Sequence, residues 1–476
     1  MKKTIKTALL IFVAAYSLTF VACYSDDENP SIKSNNVYVN DWILDTMKVY
    51  YYWNDRIPTN LNMEQSPSDF FRSLLYKYEQ LDGDRFSWLQ ENYVELIESL
   101  SGVSSGDIGF EYMLRGYSNS QNVWGEVLYV KPNTVAELQG LKRGDVFYKI
   151  NGTEMDRSNY NSLLQNASMT ITFADPAVAS GTLSFNNERN ISLTKAVYAE
   201  NPIFLDSVYN IHGKKIGYVV YNFFASDDGD RSAKYDIKLN SVFGKFKAAG
   251  IDNLIVDLRY NSGGSTTAAQ RLASMIVKSL NTNNNFYILN FNSYLEGYWG
   301  KERVPFVSQF NSNTINNVGD NLQDVFFITT AWSASASEMI INGLRPFMSA
   351  CIVGDTTVGK SYASASFYKM NDSRNKWGLQ PIIAKYTNGF GAEVPSVGMS
   401  PNFYLQEYDF IPKKQLGDVT EELLNKALTE ITGQAVTQSA RLKSTLESNV
   451  ISTSINKKSY SNKAIIDDEI RLRIQR

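Results

Sequence analysis

The sequence of 476 residues contains one histidine, His212, and two cysteines, Cys23 and Cys351. A zinc peptidase of the H-E-x-x-H type needs two imidazoles on one helix face, so that class is excluded. A Ser-His-Asp or Cys-His site would have to recruit His212. Its surroundings, Asn210-Ile211-His212-Gly213-Lys214-Lys215, read instead as the turn of a hairpin with no serine or cysteine motif beside it. Two cysteines cannot build a cysteine-rich metal site, and Cys351 in Ala350-Cys351-Ile352-Val353 reads as a small buried hydrophobe. Charge of one sign is also missing: 46 Lys+Arg against 49 Asp+Glu leave a net −3. With no basic stripe interleaved with aromatics, nucleic acid is not an expected partner. The apolar stretch Ala8–Ala22 is 15 residues long, short of the ~20 that a membrane span needs. What is present, 43% hydrophobic and 13% aromatic residues, is enough for two or three globular domains. Any hydrolase built from this chain has to activate its nucleophile without imidazole.

The N-terminus reads as a targeting segment. Lys2, Lys3 and Lys6 precede the apolar stretch, so residues 1–22 form a signal peptide and 23–36 a polar linker. The stretch ends Phe20-Val21-Ala22-Cys23, which resembles the lipobox of bacterial lipoproteins, with Phe20 where that group prefers Leu. The resemblance implies cleavage before Cys23, lipidation of Cys23 and no intramolecular disulfide. It also implies an exported protein anchored to the cell envelope, the outer membrane being the expected site. The acidic run Asp26-Asp27-Glu28 looks like a surface-export signal of some Gram-negative lipoproteins. The plainer alternative is an ordinary signal peptide followed by a solvated linker.

Beyond the linker the pattern changes three times. Residues 37–102 carry helical periodicity, as in Trp42, Ile43, Met47, Val49 and Tyr50, and read as an N-terminal helical domain without visible chemistry. Residues 103–196 carry short strands broken by glycine. Within them, Ala136 and Gly140-Leu141-Lys142-Arg143-Gly144-Asp145 lead to Ile150-Asn151-Gly152, a string that resembles a PDZ domain. The resemblance makes Ile108, Gly109 and Phe110 the peptide-binding loop, and an extended peptide is expected to add to the strand edge there. Residues 197–432 alternate strands and helices. Ile216–Val220, Asn253–Leu258, Val325–Thr329 and Cys351–Val353 are apolar on both faces, as in a sheet covered on both sides. Helices are expected over about 266–279 and 336–347. Residues 433–476 read as a polar, weakly ordered tail. The fold class expected is a multidomain α/β protein with a helical domain, a PDZ-like β-rich domain and an α/β core.

In that core Val325–Thr329 empties into Thr330-Ala331-Trp332-Ser333-Ala334-Ser335 and a helix follows. A serine there sits at a helix N-terminus, where free N–H groups and the dipole favour an anion. Alone, Ser335-x-x-Glu338 is a capping box and structural more often than catalytic. Lys360 in Gly359-Lys360-Ser361, 25 residues further on, changes the balance, because it follows another strand. A lysine acts as a base only if burial lowers its pKa. The third element is Asp257-Leu258-Arg259-Tyr260-Asn261-Ser262-Gly263-Gly264, a strand running into a glycine loop. In this order the segments resemble the tail-specific or C-terminal-processing peptidases, a Ser-Lys family, over about 37–430. The resemblance implies Ser335 as nucleophile, Lys360 as base, and backbone N–H groups of Ala336 and of Gly263 or Gly264 as the oxyanion hole. One departure is Ser364, where known members carry a lysine-orienting glutamine. Ser364 or another hydroxyl takes that task, or activity is weakened. Ser333 and Ser337 are the lesser competing serines.

Gly354-Asp355-Thr356-Thr357-Val358-Gly359-Lys360-Ser361 also satisfies the G-x-x-x-x-G-K-S phosphate loop. No helical face follows it, few residues remain downstream, and the acidic strand Leu254-Ile255-Val256-Asp257 lies upstream, so this reading is set aside. The expected function is a serine endopeptidase cleaving extended or C-terminal peptide segments through an acyl-enzyme. Protein or peptide substrates and the membrane are its expected partners, and the chemistry needs no metal or organic cofactor. The rival reading is a peptide-binding lipoprotein that keeps the peptidase fold with weak or absent turnover.

Overall fold

In the computed structural model the described residues are 33–466 except 118–119, 180–181, 300–305, 313–315, 437–447 and 458–462. The expected signal peptide, Cys23 and most of the linker lie outside the described residues. The runs that are apolar on both faces form the centre of a six-stranded sheet. Its order is Ile203–Ile211, Lys214–Tyr221, Asn253–Asp257, Val325–Thr329, Ala350–Gly354 and Phe403–Tyr404. All neighbours pair parallel except the first two, which are joined by a hairpin turn with His212 at φ 49° and Gly213 at φ 78°. His212 is therefore a turn residue.

Period-two alternation splits these strands between two cores. Val219, Val256, Val325 and Phe327 face helices Lys234–Ala249, Thr266–Ile276 and Ala336–Leu344. Val220, Ile255, Phe326 and Ile328 face Leu423, Leu424, Ala427 and Leu428 of helix Glu422–Thr432. The helix Asn35–Tyr50 brings Val39, Ile43 and Met47 into the first of these cores. The N-terminal helices, read from the sequence as a helical domain, thus pack into the core of the catalytic unit.

The glycine-punctuated region forms an antiparallel sheet of Phe110–Tyr117, Val123–Val130, Val146–Ile150, Ser168–Ala179 and Thr182–Thr194. Helices Val135–Leu138 and Tyr160–Gln165 flank it, and Phe110, Val127, Phe147, Ile171 and Phe173 fill its core. The Asn151-Gly152 turn takes two positive φ values, 52° and 78°, as a tight hairpin requires. Within the region expected to be a weakly ordered tail, two described segments are strands. Ser448–Thr453 is the edge strand of this sheet, and Lys463–Ile465 enters a second six-stranded sheet. Downstream of Ala350–Gly354 the chain reaches the strand Tyr362–Ser364, not a helix, so the phosphate-loop string has the wrong successor.

A buried ionic network joins the β-rich unit to the core. Arg259, 0% exposed, bonds Asp257 (2.7 and 2.9 Å), Glu421 (2.6 and 3.0 Å) and Glu407 (3.1 Å). Arg143 of the β-rich unit reaches the same Glu407 at 2.6 Å and the hydroxyl of Tyr260. Removing one member of such a network leaves buried charge uncompensated. Arg259→Met should therefore cost on the order of 3–5 kcal/mol; denaturant unfolding of the variant measures it, and a loss within experimental error would refute the role given to this network.

Candidate active site

Three neighbouring parallel strands, Asn253–Asp257, Val325–Thr329 and Ala350–Gly354, end on the same edge of the sheet. Ligand sites in open α/β sheets form outside such carboxyl ends. The first strand runs into the glycine loop, the second into Ser335, the third into Lys360. Topology alone brings together segments that are far apart in sequence.

Ser335 stands at the N-cap of Ala336–Leu344 with φ 64° and ψ −112°, a sparsely populated conformation for a residue with a Cβ. Glu338 stands at the N3 position of this helix and accepts from the Ser335 N–H at 2.7 Å. The Ser335 Oγ itself is buried and has no hydrogen-bond partner of good geometry. The neighbouring serines are otherwise occupied. Ser333 Oγ donates to Leu258 O at 2.8 Å and Ser337 Oγ to Asn261 O at 2.9 Å, so both tie the serine turn to the glycine loop.

Glu338 does more than cap its helix. Its Oε1 accepts from the Gly359 N–H (2.7 Å) and from Thr357 Oγ1 (2.5 Å), and its Oε2 accepts from the Lys360 N–H (2.9 Å). Because Ser335 N and Lys360 N share Oε2 at 2.7 and 2.9 Å, the two nitrogens lie less than about 6 Å apart. The Tyr386 hydroxyl lies within hydrogen-bond distance of the carbonyls of both residues. Burial pushes the Glu338 carboxyl above its usual range, opposed by these four bonds.

Lys360 is 0% exposed, with its ammonium nitrogen 5.0 Å from the ring centre of Phe86. Burial lowers its pKa from the ordinary 10.5 to about 7, against the opposing pull of Asp84 and Glu338. Asp84 comes from the N-terminal region in which no chemistry was expected. Its Oδ1 accepts from Phe86 N and Ser87 N at 2.9 and 2.8 Å, while its buried Oδ2 lacks a hydrogen-bond partner. Arg85, next in sequence, bonds Gly359 O at 3.2 Å and Ser396 O at 3.1 Å.

Ser364 is fully buried, and Gln380 Nε2 donates to its Oγ at 3.0 Å. Gln380 Oε1 in turn accepts from Ser366 Oγ at 2.6 Å. A buried glutamine therefore stands beside Ser364, supplied by the strand Gly378–Gln380 and not by the residue four places after the lysine. Of the two candidate glycines, Gly263 donates its N–H to Asn261 Oδ1 at 2.9 Å. Gly264, at φ 134°, approaches the Phe224 carbonyl so closely that a Cβ would sit 2.1 Å from that oxygen. Ala336 opens its helix, where an N–H has no carbonyl one turn back. At the β-rich unit Gly109 (φ 90°) donates its N–H to Asp107 Oδ1 at 2.7 Å, between Ile108 and the strand that begins at Phe110. Asp84, Glu338 as a clamp, Tyr386 and Gln380 were not legible from local motifs.

A serine hydroxyl without a partner, a buried amine titrating near neutrality and a helix N-terminus make a site suited to acyl transfer. Comparison with known proteins gives the family of the chain. Residues 38–88 match the model of the peptidase S41 N-terminal domain, and residues 215–405 match peptidase family S41. The chain belongs to peptidase family S41 and is a serine peptidase. It is 25% identical over 332 residues to a carboxyl-terminal-processing protease of Picosynechococcus, covering 69% of each chain. To the carboxy-terminal processing protease CtpB of Bacillus subtilis it is 24% identical, over 60% of this chain and 54% of that one. The fold matches a crystal structure assigned to the S41 proteases from Bacteroides fragilis, with TM-score 0.68 and 24% identity over 82% of this chain and 97% of that one.

Burying Lys360 couples its titration to stability. Between about 7 and 10.5 the unfolded chain holds a proton on this lysine that the folded chain has released, so stability rises with pH across that window. Lys360→Met removes the slope. The variant should melt higher than the wild type at pH 7, and its advantage should shrink towards pH 10. Scanning calorimetry at several pH values measures both curves, and parallel curves would contradict the buried, neutral amine.

Proposed function

We propose that the chain is an endopeptidase of the C-terminal-processing type that works through a Ser335-Lys360 dyad. The observation that carries this reading is the shared Glu338 carboxylate, which holds the backbones of both residues while one hydroxyl stays unbonded and one amine titrates near 7. Neutral Lys360 takes the Ser335 proton as Oγ attacks the scissile carbonyl. The N–H groups of Ala336 and Gly264 receive the oxyanion, the Gly263 N–H being engaged by Asn261. Lys360 then protonates the departing amine, and a water that it deprotonates releases the acyl group. Ser364, backed by Gln380, orients the amine. That glutamine speaks against the rival reading of a peptide binder without turnover, whose main support was the serine at position 364. The β-rich unit, whose sequence resembles a PDZ domain, captures the extended substrate. Mature chains are anchored to the cell envelope through lipidated Cys23.

Ser335→Ala and Lys360→Ala should each lower kcat/KM on an unstructured protein substrate by roughly 10³-fold or more, while EDTA leaves the rate unchanged. Fragment mass spectrometry scores cleavage, and a Lys360→Ala enzyme that keeps most of its rate would remove the base assigned here. The rate should rise with pH through a midpoint near 7 as the amine is freed. Asp84 raises the Lys360 pKa, so Asp84→Asn should move that midpoint to lower pH; a shift upward in the pH–rate profile would contradict it.

A further inference from the structure

Two described segments of the C-terminal region, Ser448–Ile455 and Lys463–Ile466, lie in the two places that a substrate peptide would occupy. Ser448–Thr453 pairs antiparallel with Phe110–Tyr117, placing Val450 opposite Arg115 and Thr453 opposite Met113. This is the strand that follows the Ile108-Gly109-Phe110 loop, the edge on which a captured peptide would add. Side chains reinforce the pairing. Arg115 Nε donates to Ser448 Oγ at 3.0 Å, Tyr112 N donates to Ser454 Oγ at 2.8 Å, and Ser454 Oγ donates to the Glu111 carboxylate. Ile455 is 1% exposed, packed with Met113, Leu128, Tyr129 and Tyr260, the last of these in the loop that leads to Gly263.

The second contact lies in the catalytic unit. Lys463–Ile465 sits between Gly263–Ser265 and Tyr362–Ser364 and pairs parallel with each, Ala464 standing opposite both Gly264 and Ala363. Ile466 N donates to Ser364 O at 2.9 Å. The two flanking strands are neighbours of the tail in the sheet order, not of one another. The slot between them is thus one strand wide, about 10 Å from backbone to backbone. One wall is the glycine loop and the other is the strand that follows Lys360. An extended backbone of any sequence can satisfy two such edges, and here the chain's own backbone does so. Ser335 and Lys360 are both 0% exposed in this arrangement.

We infer that the segments Ser448–Ile455 and Lys463–Ile466 are built-in occupants of the substrate path, the first filling the peptide-capturing edge and the second the slot beside Ser335 and Lys360. The inference rests on the site proposed above. A tethered occupant competes at an effective concentration in the millimolar range, so an extended peptide substrate has to displace it. The tail therefore raises the apparent KM and leaves kcat nearly unchanged.

The test compares the full chain, a chain ending at Gly433, and full-length Ile455→Asp, which puts a charge into the apolar anchor. On a fluorogenic, unstructured peptide both variants should show an apparent KM lower by roughly tenfold or more, with kcat held within about twofold. A synthetic peptide of residues 448–466 should inhibit the shortened enzyme competitively. An unchanged or higher KM in both variants, each with a cooperative melt, overturns the inference. Ser335→Ala versions read it without turnover: the fluorescein-labelled 448–466 peptide should bind the shortened protein and not the full chain by anisotropy. If no form cleaves any substrate but this binding pattern holds, the proposed hydrolysis fails and the tail assignment stands. If the shortened protein does not bind the peptide, the tail assignment fails.

Discussion

One buried carboxylate organises the catalytic edge of this protein. Glu338 receives hydrogen bonds from the backbones of Ser335, Gly359 and Lys360 and from the hydroxyl of Thr357. Those bonds pull the ends of two adjacent parallel strands together and hold Ser335 in a conformation that a free turn would not adopt. A carboxylate is suited to the task because it accepts several N–H donors at once, and donors this well aligned offset much of the cost of burying it. The same charge, with that of Asp84, limits how far burial can lower the Lys360 pKa. The positions of Ser335 and Lys360, and in part the protonation of Lys360, thus depend on one side chain.

Burial of the site is the second constraint. Ser335 and Lys360 reach no solvent, and the slot beside them holds a strand of the same chain. A dry site strengthens the electrostatic interactions on which acyl transfer relies. It also has to open for substrate. The network of Arg143, Glu407, Arg259 and Tyr260 connects the glycine loop to the β-rich unit, so movement of that unit and rearrangement of the loop share bonded partners.

How much of this could be read from the sequence depended on whether the signal was local. The strands Val325–Thr329 and Asn253–Asp257 are runs apolar on both faces, and the sheet buries both faces. That Ser335 and Lys360 each follow a strand was legible, because both lie in recognisable motifs. Asp84 was not: a carboxylate in Asp82-Gly83-Asp84-Arg85 looks like a solvated turn, and only packing of the N-terminal helices onto the core carries it to Lys360. Gln380 escaped notice because it lies 20 residues beyond Lys360 in sequence, and only the fold brings its amide to Ser364. The tail after Gly433 is polar and lacks a core pattern. A strand that pairs mainly through its backbone leaves little trace in side-chain periodicity.

The central claim is that the Lys360 amine is neutral at physiological pH beside Ser335. Selective 13C labelling of lysine side chains, with the Lys360→Met protein to assign the resonance, allows this amine to be titrated directly by NMR. The account predicts a midpoint near 7, well separated from the other lysines. A resonance that titrates with them, near 10.5, would leave the enzyme without a base.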